Sequence, residues 1–297
     1  MTESALPLCG LSLMPEGNWL EAALPLFEAG DVEALEWSFD TCWDNPNLPE
    51  WLVELTSFFS NRDCLLGHGV SLSLLSVENR YADNWLRKFD KLCADYTFSH
   101  VSEHFGFMRT RNFHFGSPLP VPYDSRLVEI AQSRLEAMGR ISNCPVGVEN
   151  LALSFSRADV ERHACYIDEI VEPIGGFILL DLHNLYCQAC NFNLTLEELF
   201  ALYPAERVRE LHVSGGSWTE AAQSKPRQLR RDTHDNAVPF EIIQFLPRAI
   251  AALPNLRAII FEQLGTSLDD SASRIQFRED FAAIKRLVEE QRCGITC

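Results

Sequence analysis

The stretch from Gly175 to Asn193, GGFILLDLHNLYCQACNFN, constrains the fold more than any other. Its run Gly176-Phe-Ile-Leu-Leu180 has the length and apolar saturation of a strand covered on both faces, and such strands belong to parallel sheets flanked by helices. The run stops at Asp181-Leu-His183. Because side chains alternate along a strand, Leu179, Asp181 and His183 are expected on one face and Leu180 and Leu182 on the other. A carboxylate beside an imidazole at a strand end is either a structural hydrogen-bonded pair or a pair of metal ligands, because a bound cation offsets the cost of burying an unpaired charge.

The same alternation extends through the chain. Strands are expected at 6–13, 34–40, 65–74, 97–107, 145–151, 176–180, 207–214 and 256–262. Amphipathic helical periods fall between them at 19–29, 51–60, 85–95, 124–138, 159–171, 195–202 and 240–252, with a closing helix at 273–290. Asp124 is placed to cap one helix, and Thr195 with Glu198 forms a capping box on another. A Pro-rich loop, SPLPVPY, follows the fourth strand, and 215–238 is a loop of the size used for lids. Eight strands alternating with helices over 297 residues predict a single-domain (β/α)8 barrel spanning 1–297, a fold of about 250 residues in its usual form.

A formal charge of −17 argues against a nucleic-acid partner, since phosphate binding needs a basic stripe. The basic segment from Lys225 to Arg231 is short and reads as a solvated loop, or as a holder for an acidic peptide or carboxylate. No apolar run reaches membrane-spanning length, and MTESALPLCG carries no basic segment, so a soluble, cytoplasmic protein with no membrane association is expected. The ten cysteines are irregularly spaced within apolar segments, which fits reduced, buried thiols. Cys187 and Cys190 form one CxxC, and RCGITC ends the chain with Cys293 and Cys297. Neither is paired with a second motif, so each reads as ordinary packing first and as a zinc or redox site second.

In a barrel of this kind, chemistry gathers at the C-terminal strand ends. There the sequence carries His68, Glu103-His104, Glu149-Asn150, Asp181 with His183, His212 and Glu262, and the long loop adds Asp232-Thr-His234. Singly, each residue is more often a satisfied polar group or a cap. Together, five of the eight histidines collect at strand ends or beside them, along with four carboxylates. One zinc ion uses about four ligands and an octahedral ion about six, so nine candidates point to two or three ions with a bridging carboxylate. Mixed imidazole and carboxylate ligation suits iron, manganese or zinc, and the residues alone leave open a zinc- or manganese-dependent hydrolase or isomerase. His100, His114 and His163 are left as structural or surface residues.

LLGHGVSLSLLS, VSEHFGF, VGVENL, LLDLHNLY, RELHVSGG and RRDTHDNAVP, in this order, resemble the signature segments of the multinuclear non-haem iron-dependent oxidative enzymes. That family modifies ribosomally made peptides and includes the methanobactin oxazolone–thioamide synthases. The resemblance runs from Leu65 to Glu262 and implies a xylose-isomerase-like barrel. It also implies two or three irons of mixed Fe2+/Fe3+ state and use of O2. His68, His104, Glu149, Asp181, His212, Asp232, His234 and Glu262 then match metal-ligand positions, with Glu149 the bridge. His183 stands where many relatives have the first Asn of an Asp-x-Asn-Asn segment, and Asn184 competes with it. These two are the candidate catalytic residues.

The activity implied is oxidation of a cysteine in a precursor peptide: its thiolate binds iron, and hydrogen leaves the β-carbon. A small partner protein that recognises the peptide's leader is implied as well. Three departures stand out. Relatives commonly carry a second His after the seventh strand, where this chain reads His212-Val-Ser-Gly-Gly216. The Gly-Leu-Arg usual near the first strand is Gly10-Leu11-Ser12, and the Glu typical of the second strand is not evident.

Overall fold

The computed structural model describes residues 6–43, 45, 47–221 and 227–295, with side chains of the last helix described to 292. In chain order the strands begin with β1 (Leu8–Leu13), β2 (Ala34–Trp37), β3 (Leu65–Gly69) and β4 (Val101–His104). β5 (Phe107–Thr110) and β6 (Phe113–Leu119) form an antiparallel hairpin outside the barrel. β7 (Val146–Glu149), β8 (Phe177–Asp181) and β9 (Val208–Ser214) return to it. β10 (Trp218–Glu220) and β11 (Gln228–Arg230) make a second hairpin, and β12 (Ala258–Glu262) closes the series.

The barrel strands pair in parallel in the closed order β1-β12-β9-β8-β7-β4-β3-β2. Around them lie α1 (Gly17–Glu28), α2 (Glu50–Ser60), α3 (Asn79–Asp95), α4 (Ser125–Ser142), α5 (Arg157–Val171), α6 (Leu182–Phe192), α7 (Leu196–Phe200), α8 (Phe240–Ala252) and α9 (Ser271–Ile295). The fold is the expected (β/α)8 barrel. The Asp124 cap and the Thr195–Glu198 capping box are both formed.

The apolar core has two parts. Trp19, Phe89, Phe105, Phe277 and Phe281 pack the layer between strands and helices. A separate small cluster of Ala34, Leu66, Ala258 and Ile260, with Leu8 against it, closes the lower lumen. Two residues further along the same strands, on the same face, stand Glu36, His68 and Glu262. The lumen thus turns from apolar to ionisable within one strand repeat, and the metal-ligating residue types lie above that plug.

Four local expectations are corrected. The third strand ends at Gly69 rather than 74, because Asp40 accepts from Val70 N and Ser71 N and draws the chain off the sheet. Leu72, Leu74 and Leu75 are buried there without pairing. The fourth strand is only Val101–His104, and the start of the Pro-rich segment lies in β6. The 215–238 segment carries the β10–β11 hairpin, although part of the basic stretch, including Lys225, lies outside the described residues. Finally, a helix not expected from the sequence, α6, begins at Leu182 directly after β8, and the expected helix at 195–202 follows it as α7. Asp181 both ends β8 and caps α6, its Oδ1 accepting from Asn184 N at 2.6 Å. His183 therefore sits on the first helical turn and not on the strand face shared by Leu179 and Asp181.

Candidate metal centre

Six strand ends, of β3, β4, β7, β8, β9 and β12, contribute to a continuous polar cluster that Asp232 and His234 complete from the loop. His68 on β3 and His104 on β4 bring their Nε2 atoms to 3.2 and 3.0 Å from the same oxygen, Glu149 Oε2 on β7. The other Glu149 oxygen is 3.8 Å from His212 Nδ1 on β9. His212 Nδ1 also lies 3.9 Å from Asp181 Oδ2 and 3.4 Å from Glu262 Oε2. Glu262 then reaches His234 Nδ1 at 3.2 Å, and His234 Nε2 meets Asp232 at 2.7 Å. Four groups with metal-ligand spacing result among the described residues: His68–His104–Glu149, Glu149–Asp181–His212, Asp181–His234–Glu262 and, on the far side of His212, Glu36–Glu210–His212. The first three form a chain that shares Glu149 and then Asp181.

The imidazoles are oriented from behind. Ser102 Oγ holds His68 Nδ1 at 2.7 Å, and Glu36 on β2 holds His212 Nε2 at 2.9 Å. Tying down one ring nitrogen fixes the tautomer and turns the other toward a cation, the usual arrangement behind metal-bound histidine. A buried Glu that the sequence reading left unassigned, Glu36, thus stands on the second strand. Its signal was a lone acid inside the apolar stretch Ala34-Leu-Glu-Trp37, which alternation puts on the lumen face. Glu210, two residues before His212, was also missed; it is buried and pairs with His100 at 2.9 Å.

Asp181 is fixed from two sides. Asn150 Oδ1 accepts from its backbone N at 2.7 Å, and its Oδ1 caps α6. Asn184 Nδ2 donates to Glu149 Oε1 at 3.3 Å and to Asn150 O at 2.8 Å. His183 differs: its Nδ1 is 3.0 Å from Asp232 Oδ1, and its Nε2 accepts from Arg230 Nε at 3.2 Å. Both of its ring nitrogens are thus engaged, and it stands outside the three groups while Asn184 lines the adjoining cavity. A Cβ on Gly216 would come within 2.7 Å of His183 Cε1 and 2.3 Å of Arg231 O.

His234 adopts φ 49°, a left-handed conformation that costs a non-glycine residue about 1 kcal/mol or more. Its carbonyl accepts from Leu264 N at 2.8 Å, which secures the turn. Of the CxxC, Cys187 is buried on α6 and Cys190 is exposed. Among the described residues no cysteine joins a metal-spaced group. Cys293 and Cys297 lie outside the described side chains. Among the leftover histidines, His100 and His163 are buried and His114 is exposed.

The electrostatics show how strongly the cluster calls for positive charge. Burial works against the charge of His104, yet Glu149 carries it up to about 9. His212 is pushed well up against its burial by Glu36 and Glu262, and His234 by Asp232 and Glu262. Burial, with Asp232 and Glu149 nearby, drives Asp181 well above the usual carboxylate range. Meanwhile buried Glu149 Oε2, Asp181 Oδ2, His104 Nδ1 and His212 Nδ1 lack a well-directed hydrogen bond. Orphaned donors of these types around common points are costly in a bare protein and are what metal ions satisfy, so the residues present fit metal. Above them opens a cavity of about 370 Å³ walled by Leu13, Met14, Leu151 and Leu153.

Fold and site together define a xylose isomerase-like (β/α)8 barrel with a histidine- and carboxylate-lined mouth. Residues 47–266 match the family described as RiPP precursor modification enzyme MbnB/TglH/ChrH, and the chain belongs to that family. Curated relatives are UPF0276 proteins. That of Caulobacter vibrioides is 28% identical over 174 residues, 58% of this chain and only 59% of the relative's length. That of Chromobacterium violaceum is 27% identical over 271 residues, 84% and 86% of the two chains. Among solved structures, an L-ribulose 3-epimerase superposes with TM-score 0.62 at 11% identity, covering 98% of this chain and 97% of the other. A xylose isomerase-like TIM barrel protein from Mycobacterium smegmatis in complex with magnesium gives 0.56 at 13%, covering 97% and 98%. At such identities these two likenesses speak for the fold alone. Among the described residues no helix is long and apolar enough to cross a membrane.

Proposed function

We propose that this protein is an iron- and O2-dependent oxidase acting on a cysteine of a ribosomally made precursor peptide, in concert with a small leader-recognition protein. One observation carries the reading: the three ligand groups are chained through shared carboxylates, Glu149 and Asp181, as a site for two or three ions requires. Family membership supports a peptide precursor as substrate. Bound iron would supply affinity for the substrate thiolate and the redox chemistry with dioxygen that removal of a cysteine β-hydrogen needs. His68, His104, Glu149, Asp181, His212, Asp232, His234 and Glu262 would hold it. The chain's other residues orient and shield. Ser102 and Glu36 fix two imidazoles, and Arg230 fixes His183, which steadies Asp232. The apolar wall of Leu13, Met14 and Leu151 limits water beside a reacting thiolate. Asn184 Oδ1, buried and without a partner, is free to meet substrate or metal.

Anaerobic reconstitution with iron, followed by O2 in the presence of the precursor peptide, tests the reading by mass spectrometry. We expect a mass change confined to a cysteine. An unchanged peptide at full iron occupancy refutes it. Zinc or manganese content with oxygen-independent turnover would instead establish a hydrolase or isomerase.

A further inference from the structure

The β5–β6 hairpin stands outside the barrel, and its strand β6 borders two sites at once. Phe113 and His114, at its start, line a groove of about 770 Å³ against α3. Gly116, Ser117 and Pro118, near its end, line the cavity over the ligand cluster. Arg80, Arg87, Arg109 and Arg111 all line the groove, and Glu78 is the single carboxylate among its lining residues. In a chain of charge −17 such a concentration of arginine is a local reversal. Arg109 stacks over Tyr81 at 4.2 Å, which holds its guanidinium in place, and Arg80 and Arg111 are exposed. Arg80 and Arg87 are seven residues apart on α3 and so face the same way, two turns from each other.

β6 also offers backbone. Among the described residues it pairs only with β5, and the register slips between Phe107 and Arg109, where the bulge lies. Phe113 and Phe115 are exposed on one face of the strand. An open edge of this kind accepts a further strand through main-chain hydrogen bonds, with side-chain sites supplying selectivity.

We propose that the outer edge of β6, with the arginine groove at its head, is the docking strand for an extended acidic peptide segment whose neighbouring residues enter the cavity over the ligand cluster. The proposal rests on the reading that the substrate is a peptide. Charge decides the occupant: the groove is cationic, and carboxylate side chains meet guanidinium forks in two-point hydrogen bonds. A nucleic acid fits less well, because the basic groups fill one short groove on a strongly acidic protein. Strand geometry sets the spacing. From Phe113 to Ser117 an extended chain runs about 13 Å, so the acidic residues should lie about four positions from the residue delivered to the cavity.

The test uses a fluorescein-labelled synthetic peptide of alternating Glu and Val, its Lys–Val counterpart, and anisotropy at low and high salt on the full-length protein without iron or O2. We expect the acidic peptide to bind in a salt-sensitive way and the basic one not to. The double variant Arg80→Glu/Arg111→Glu should bind at least about tenfold more weakly with its circular dichroism unchanged, since both positions are exposed. Backbone N-methylation at alternate residues should weaken binding comparably. Equal affinity of wild type and double variant, indifference to N-methylation, or equal displacement by an oligothymidylate would each overturn the proposal. Because binding is read without turnover, docking of the acidic peptide together with a cysteine-bearing precursor that is never oxidised sinks the oxidase reading alone. A cysteine-bearing precursor that is oxidised with wild-type efficiency by the double variant sinks the docking strand alone.

Discussion

His212 on β9 donates from Nε2 to Glu36 on β2 at 2.9 Å, a bond that crosses the barrel between strands that are not neighbours in the sheet. Both residues are wholly buried, and the bond leaves His212 Nδ1 as the atom that faces Glu149, Asp181 and Glu262. A carboxylate behind a metal-facing imidazole raises its basicity and fixes its tautomer.

Glu36→Gln should therefore fold and yet bind metal about 10–100-fold more weakly, although Glu36 is outside the three chained groups and meets them only through His212, with which it shares a fourth group. Competition against a chelating dye, with circular dichroism as the fold control, reads this. Unchanged metal affinity would show that the Glu36–His212 bond is structural only.

Gly216 tests the loop that carries Asp232 and His234. A Cβ there meets Arg231 O at 2.3 Å and Thr233 N at 3.0 Å, which are backbone atoms, as well as the His183 ring. Backbone cannot rotate away as a side chain can, so Gly216→Ala should push the 231–234 segment outward. We expect loss of about one metal equivalent with the barrel intact, since Asp232 and His234 are reached only through this segment. Retention of all metal by Gly216→Ala would mean that the loop yields without moving its ligands.

What the sequence made legible was the periodic part of the fold. Phe177 to Leu180 could hardly be anything but a strand buried on both faces, and the acid and imidazoles at strand ends follow directly from barrel topology. The lapses have physical causes. Asp181 serves as both last strand residue and helix cap, so no loop marks the start of α6, and Leu182 to Phe192 is buried so extensively that its helical period is blurred. β6 contains Pro118 and ends in a Pro-rich turn, and proline suits the edge strand it proves to be. Glu36 was overlooked because one acid among Leu35 and Trp37 resembles a surface position until the barrel closes around it. His183 was assigned a strand face that ends two residues earlier, at Asp181, and its partners Asp232 and Arg230 come from a distant segment that no local pattern links to it.

His163 gives the stability of the barrel a pH dependence separable from metal. Its Nε2 accepts from Leu151 N at 3.0 Å, so the folded ring must stay neutral, and burial lowers its pKa from 6.5 to about 4. Between those values the unfolded chain takes up a proton that the folded chain refuses. Stability is full above pH 6.5, falls as pH drops through the window, and loses nothing more from this group below about 4. From pH 6.5 to 5 the loss should be on the order of 2 kcal/mol. Urea unfolding in excess chelator should show it, and His163→Gln, which keeps an acceptor, should flatten that segment of the profile. Parallel profiles for wild type and His163→Gln would assign the acid sensitivity to other groups.

Glu149 and His183 should fail differently when altered. Glu149 belongs to two of the chained groups, each of its oxygens turned toward a different histidine set. Without it both groups lose a ligand, and His68 and His104 lose the anion between them. His183 instead acts through Asp232, with both of its nitrogens already bonded to protein. Glu149→Ala should accordingly abolish turnover and lower bound iron by about two ions, whereas His183→Asn should keep most iron and part of the activity. Iron analysis after identical reconstitution separates them. Equal losses in the two variants would remove Glu149 from its bridging role, and iron unchanged in Glu149→Ala would take that carboxylate out of the centre altogether.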